Sequence, residues 1–149
     1  MSTFKGRYRY AVDEKGRIAI PAKLRKNLAP ASRKSFVVTR GLERCLYLYP
    51  LDEYTRLEQS LRALSLRDEQ DRQFARAIAS WAEDVAPDGQ FRIMLPAELK
   101  EYAGITEEVF VLGVLERIEI WSPAILEAYE RERSAAYESS AGRVFGPQS

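Results

Sequence analysis

The chain has 149 residues, of which 46% are hydrophobic and 30% charged, which suits one soluble domain or two small halves that share a core. A single cysteine, the lack of histidine and short apolar runs exclude an intrachain disulfide, argue against a zinc site and predict no membrane-spanning helix. A net charge of +1 hides nine excess positive charges in residues 1–50 and eight excess negative charges beyond them, which points to nucleic acid as a partner of the first third.

The chain begins with a predicted strand at residues 4–12, because polar and apolar side chains alternate there with a period of two. Tyr8 and Tyr10 share the apolar face, so we expect them to pack in the core rather than to stack on bases. The opposite face carries the bases Lys5, Arg7 and Arg9.

A turn, a second strand and a short helix follow in quick succession. Residues 13–16 have turn chemistry, and residues 17–20 alternate again as a strand. Pro21 then favours the start of a helix, since its φ is preset and its missing N–H costs nothing there. Residues 36–39 and 45–49 indicate two strands joined by a turn.

The middle of the chain reads as a helical pair. Ser65 and Asp68 resemble a capping box that begins the second of these helices. Strand patterning returns at residues 80–86, and Pro96 and Pro123 each favour a helix start. The first helix carries an apolar stripe at helical spacing, formed by Tyr54, Leu57, Leu61 and Leu64.

The chain contains one motif twice, which indicates an internal duplication. Residues Asp13, Arg17, Pro21 and Leu24 recur as Asp88, Arg92, Pro96 and Leu99, each 75 positions later. We therefore divide the chain into a first repeat (4–50), a helical connector (51–79), a second repeat (80–123), a C-terminal helix (124–138) and a flexible tail (139–149).

This order of strand, Asp-x-x-x-Arg turn, strand, proline-started helix and hairpin resembles the SpoVT-AbrB family of small DNA-binding half-barrels. Two copies joined by a helical pair resemble the MraZ family of tandem SpoVT-AbrB-type bacterial transcriptional regulators, over about residues 4–129. The resemblance implies a β-rich α+β fold. In it, two swapped-hairpin halves form one pseudo-symmetric barrel, accompanied by short helices and the helical connector.

The resemblance also implies a function. We expect a cytoplasmic, nucleoid-associated regulator, a repressor of the bacterial division and cell-wall gene cluster. Such proteins bind repeated G-rich boxes of double-stranded promoter DNA as a homo-oligomer, often a ring. We expect no cofactor, no metal, no membrane association and no small-molecule substrate.

Arg17 is the best candidate for reading DNA, because a guanidinium can donate two hydrogen bonds to guanine in the major groove. The structural alternative is that Arg17 pairs with Asp13 and locks the turn. Asp13, Gly16 and Asp88 are interpreted as turn-orienting residues. The other bases suit contact with backbone phosphates, although an ordinary solvated face is the alternative: Lys5, Arg7, Arg9, Lys15, Lys23, Arg25 and Lys26.

The second repeat departs from this pattern. Lys15 and Gly16 are replaced by Gln90 and Phe91, and the cationic strand face is lost. We therefore expect the DNA surface mainly on the first repeat, with Arg92 and Lys100 as secondary contacts.

Two other classes of function were weighed. An antitoxin-like or scaffold module that binds a protein partner is the main alternative. An enzyme built on Asp13 and Asp88 as a carboxylate pair is disfavoured, because Arg17 and Arg92 would keep both groups ionised. We therefore predict a protein without catalytic residues.

Overall fold

The protein is a mixed α+β fold, seen in a computed structural model that describes residues 1–146. The strands are β1 (Phe4–Ala11), β2 (Arg17–Ala19), β3 (Phe36–Arg40), β4 (Leu46–Pro50), β5 (Glu83–Val85), β6 (Arg92–Met94), β7 (Glu108–Leu115) and β8 (Arg117–Trp121). The helices are α1 (Ala22–Arg25), α2 (Leu51–Arg62), α3 (Glu69–Ser80), α4 (Ala97–Ala103), α5 (Pro123–Glu132) and α6 (Ser134–Phe145), with a 3₁₀ turn at Pro30–Ser32.

The two repeats are interleaved rather than separate. Six strands form one antiparallel sheet in the order β1-β7-β8-β4-β3-β5, and β2 pairs with β6 in a second ladder. The first strand of each repeat thus pairs with a strand of the other repeat, β1 with β7 and β5 with β3. Each repeat completes the sheet of its partner, so neither half has the whole architecture by itself.

The strand register follows a pseudo-twofold axis. Ile18 pairs with Ile93, its own counterpart 75 positions later, at the centre of the β2–β6 ladder. Across the large sheet, Tyr8 pairs with Val111. The related pair in the other half joins Glu83 to Val38. The duplication seen in the sequence is therefore also a symmetry of the hydrogen bonding.

The closed barrel that the resemblance implied is not found in residues 1–146. The large sheet keeps β1 and β5 at opposite edges, and β2–β6 remains a ladder of its own. The reason is local: a turn follows β1, where Gly16 N–H donates to the Asp13 carbonyl, and the chain then enters the separate β2–β6 ladder. A matching turn separates β5 from β6.

The core lies where the small ladder and the short helices cover the large sheet. Ile18 and Ile93 are fully buried there, as are Leu24 of α1 and its counterpart Leu99 of α4. A second cluster around Trp121 packs α2 and α5 on the other side of the sheet and includes Cys45, Tyr47, Tyr49 and Leu126. Cys45 is fully buried.

Two local predictions were wrong. Asp68, not Ser65, caps α3, because its carboxylate accepts hydrogen bonds from the N–H groups of Gln70 and Asp71. Pro21 and Pro96 occupy N-cap positions with extended backbone, one residue before each helix. Helix α6 extends into the range assigned to a flexible tail and has no buried residue; residues 147–149 lie outside the described part of the chain.

Candidate nucleic-acid interface

The turn of the first repeat is organised by one carboxylate. Asp13 Oδ1 accepts hydrogen bonds from the N–H groups of Arg17 at 2.8 Å and Lys15 at 2.9 Å. Its Oδ2 accepts from Arg17 Nε at 2.7 Å. The hydrogen bond from the Arg17 backbone, followed by that from its side chain, holds the pKa of Asp13 below its usual range. The Asp-x-x-x-Arg spacing is therefore the length of one self-capped turn.

The turn of the second repeat is built in the same way. Asp88 accepts from the N–H groups of Arg92 and Gln90, both at 2.9 Å, and from Arg92 Nε at 2.9 Å. The backbone hydrogen bond from Arg92 is again the main reason why the pKa of Asp88 is lowered. The loss of Lys15 and Gly16 at this copy has left the turn itself intact.

The two turns lie side by side and cross-link each other. Arg17 Nη1 lies 3.7 Å from Asp88 Oδ2, and Arg92 Nη1 lies 3.8 Å from Asp13 Oδ2. We call these four residues the turn cluster. The first turn leads into β2 and the second turn leads into β6, so the pairing of β2 with β6 brings the four residues together. The enzyme alternative already placed Asp13 near Asp88, and the structure adds that each arginine reaches the aspartate of the other repeat.

The turn cluster is partly open to solvent. The side chains of Arg17 and Arg92 are 24% and 29% exposed. Each guanidinium directs Nε and Nη1 to carboxylates, while Nη2 has no hydrogen-bond partner within residues 1–146. The locking role considered for Arg17 is therefore present in the geometry, and donors remain on each guanidinium for an outside acceptor.

The cluster has the wrong protonation state for a carboxylate pair that shares a proton. Both aspartates have lowered pKa values, and an arginine pairs with each of them. Asp13 and Asp88 therefore stay ionised at neutral pH, as expected of arginine-orienting groups.

The two turns have similar backbone conformations but different neighbouring side chains. Gly16 has φ +80°, and its counterpart Phe91 keeps a left-handed φ of +57° despite its side chain. The Phe91 ring packs edge to face on Phe36 at 6.3 Å and lies beneath the guanidinium of Arg25, 5.0 Å from it. At the glycine turn, Lys100 Nζ occupies the corresponding space. Arg25 of α1 thus lies on the turn of the second repeat, and Lys100 of α4 lies on the turn of the first repeat.

The bases predicted to contact phosphate fall into two groups. Arg7 and Arg9 are engaged inside the chain: Arg7 donates to Glu130 at 2.5 and 3.0 Å, and Arg9 donates to Glu108 at 2.5 Å. The basic face of β1 thus meets acids of β7 and α5 within one molecule. The remaining predicted bases have no carboxylate within salt-bridge distance in residues 1–146: Lys5, Lys15, Lys23, Arg25, Lys26 and Lys100.

The sequence analysis missed two residues beside the turn cluster. Arg33 and Phe91 line a groove together with Arg25 and Lys26. Phe91 gave a signal, since it stands where the first repeat has glycine. Arg33 gave none beyond its place in the basic first third.

Comparison with known proteins agrees with this architecture. The family described as "MraZ protein, putative antitoxin-like" matches the chain twice, over residues 3–77 and 78–146. The chain belongs to the MraZ family. The double match confirms the tandem repeat and the resemblance on which the sequence analysis relied.

Relatives of full length support the assignment to MraZ. Proteins named "Transcriptional regulator MraZ" from Moorella thermoacetica and Clostridium beijerinckii are 42% and 43% identical over 141 residues, which is 95% of this chain and 96% of each relative. The namesake from Acetivibrio thermocellus is 38% identical over the same length and shares. MraZ is a non-enzymatic family, in agreement with the prediction that the chain is no enzyme. Within residues 1–146, no helix is both long and apolar enough to cross a membrane.

Proposed function

We propose that the chain is a transcriptional regulator that binds double-stranded DNA in a sequence-specific manner through the turn cluster. The observation that carries this proposal is the pair of Asp-held arginines, Arg17 and Arg92, on one exposed surface beside bases without carboxylate partners. The names of the full-length relatives support it. Neither feature favours a small-molecule site.

The turn cluster suits readout in the major groove. Two short paired strands with their turns can enter that groove, and an arginine there recognises guanine through O6 and N7. Asp13 holds Arg17 Nε, so the guanidinium is oriented before DNA arrives and loses less side-chain freedom on binding. Lys15, Lys23, Arg25 and Lys26 then act on backbone phosphates, which position the protein without specifying sequence.

Arg7 and Arg9 contribute to the phosphate surface only if they exchange their carboxylate partners. Arg7 is paired with Glu130 of α5, and Arg9 is paired with Glu108 of β7. We therefore rank them behind the bases that flank the turn cluster, and Arg92 and Lys100 remain secondary contacts.

We further propose that binding represses the division and cell-wall gene cluster from repeated G-rich boxes, in the cytoplasm at the nucleoid. One chain offers a small DNA surface, so repeated boxes require several copies held together, which multiply affinity through effective concentration. Helix α6 supports self-association. It has no buried residue and exposes Tyr137, Val144 and Phe145, two of which lie at i and i+7 on one face.

The deciding experiment compares two promoter fragments of equal length and base composition, one with tandem G-rich boxes and one scrambled. We expect tighter binding to the tandem boxes at moderate salt, and a fragment with a single box should bind less tightly than one with several. Sedimentation of the free protein tests self-association. Equal affinity for the tandem and scrambled fragments would refute specific readout.

A second candidate function is an antitoxin-like module, which the family description favours. A groove between α3 and the β3–β4 turn provides a surface for a protein partner, with exposed Leu42 and Phe74 beside Tyr102. Recovery of one small protein with the wild type, and its loss with Phe74→Asp, would support this alternative. Retention of that protein by the variant would contradict it.

A further inference from the structure

An open groove of about 240 Å³ runs beside the turn of the second repeat, between α1 and the 3₁₀ turn. Its lining combines bases of the first repeat with an aromatic ring of the second: Ala22, Arg25, Lys26, Arg33 and Phe91. We propose that this groove, the basic groove, holds a backbone phosphate of the bound DNA and fixes the orientation in which the protein lies on its box. This inference rests on the proposed function and adds a site and a direction to it.

The charge of the basic groove fits an anion. It contains three bases and no acid, and none of the three forms an ion pair within residues 1–146. Arg25 Nε is buried without a hydrogen-bond partner in the same residues, an unusual state for a charged donor. Because Nε is closed to solvent, a phosphate in the groove would be held by the positive charge of the Arg25 guanidinium together with exposed Lys26 and Arg33.

Phe91 positions Arg25 for this role. Its ring lies 5.0 Å below the guanidinium, within the range of a cation–π interaction. Its backbone stays in the left-handed region, a strained conformation for a residue other than glycine. The ring is fixed from the other side by Phe36. A strained residue that holds a charged side chain beside the turn cluster is expected at a binding site.

The position that the pseudo-twofold axis relates to the basic groove carries a different charge. A second groove, beside the turn of the first repeat, overlaps the pseudo-symmetric position at Ala97 and Lys100, and it also contains the acids Glu83 and Asp84. The counterpart of Lys26, 75 positions later, is Glu101. The turn cluster itself is nearly symmetric, so by itself it would accept a box in either direction. The charge difference between the two grooves favours one direction of the box, because only the basic groove attracts a phosphate.

The first test is the salt dependence of DNA binding. We expect the double variant Lys26→Gln/Arg33→Gln to keep its preference for G-rich boxes, while the slope of log K against log salt falls by about one to two, at about 0.9 per lost phosphate contact. The double variant Arg62→Gln/Arg67→Gln removes two exposed bases of the helical connector, so it is the matched control and should leave the slope unchanged. Both variants alter exposed or half-exposed side chains, and thermal melting checks their folding.

The second test reads orientation directly. Lys34→Cys, beside the basic groove, and Glu101→Cys, on the other side, carry a DNA-cleaving reagent; native Cys45 is buried and its thiol pKa is raised by burial, so it stays unlabelled. On one asymmetric box, each label should cut a single flank, and the two labels should cut opposite flanks. Cuts on both flanks from each label would overturn the fixed orientation.

The outcomes separate this inference from the function on which it rests. An unchanged slope in the double variant, with the preference for boxes retained, would refute the basic groove and leave the regulator standing. A wild type that binds boxed and scrambled DNA equally would refute the regulator. In that case, a reduced slope of the double variant on either fragment would still assign phosphate binding to the groove.

Discussion

The two Asp-x-x-x-Arg turns share a backbone and differ in their surroundings. Asp13 and Asp88 accept the same three hydrogen bonds, with lengths that agree within 0.2 Å. Around the turns, Lys15 corresponds to Gln90 and Gly16 to Phe91. The shared part builds the ladder at the centre of the fold. In the divergent part, Lys15 and Gln90 are exposed, whereas Gly16 is buried and Phe91 packs against the core. This contrast indicates that the duplication supplies one scaffold, of which mainly one side is specialised for a partner.

The largest effect is expected where the repeats are equal. Ile18→Ala and Ile93→Ala each remove a fully buried side chain at the centre of the β2–β6 ladder, and each should lower the free energy of unfolding by about 2–5 kcal/mol. Urea denaturation measures both, and exposed Leu66→Ala is the control with little effect. A large difference between the unfolding free energies of the two isoleucine variants would contradict the symmetry of the core.

The next effect separates the two arginines. Since both hold their turns in the same way, Arg17→Ala and Arg92→Ala should lower thermal stability equally. Their DNA binding should differ: loss of Arg17 removes about 1–3 kcal/mol of discrimination between boxed and scrambled fragments, and loss of Arg92 removes less. Gly16 allows closer approach than Phe91 does, and Lys15 adds charge. Equal losses of discrimination would show that both repeats recognise the DNA sequence.

A smaller effect tests the conformational demand at the glycine turn. Gly16→Ala places a Cβ in the left-handed region at φ +80°, which should destabilise the fold by about 1 kcal/mol. Lys100 Nζ, which lies nearest to that Cβ, can move away, so the cost is mainly conformational. Gly89→Ala is the matched control, because it has open space and no positive φ. Thermal or urea denaturation of both variants measures this loss of stability. A Gly16→Ala protein as stable as the wild type would contradict the argument from the positive φ.

Much of the fold was predictable because periodicity and repetition are local signals. The constant offset of 75 between Asp13 and Asp88 and between Arg17 and Arg92 identified the repeats, and alternation placed β1. Which strands pair between repeats was not a local property: β1 bonds to β7, about a hundred residues away. The resemblance implied the exchange of strands but also a closed barrel that the ladders do not form.

The candidate site was predictable residue by residue but not as an arrangement. The Asp13–Arg17 pair followed from spacing, whereas the crossing to Asp88 depends on the β2–β6 ladder. The partners of Arg7 and Arg9 could not be read from the sequence, since Glu130 and Glu108 lie 123 and 99 positions away. A count of bases therefore overstated the charge of the first repeat that is free for DNA.

The smallest predicted effect concerns that internal ion pair. The hydrogen bond from Arg7 is the main cause that lowers the pKa of Glu130 in the folded protein. A lowered folded pKa gives stability that is present above the unfolded pKa and is lost as pH falls through the folded value. Arg7→Gln should therefore raise the pKa of Glu130 toward its ordinary value, measured by NMR titration of its side chain, and should flatten the loss of stability in acid. Lys5→Gln, on the same strand without an ion-pair partner in residues 1–146, should leave the pKa unchanged. Added operator DNA should also leave it unchanged, and a rise would show that Arg7 exchanges Glu130 for a phosphate, which would extend the DNA surface along β1.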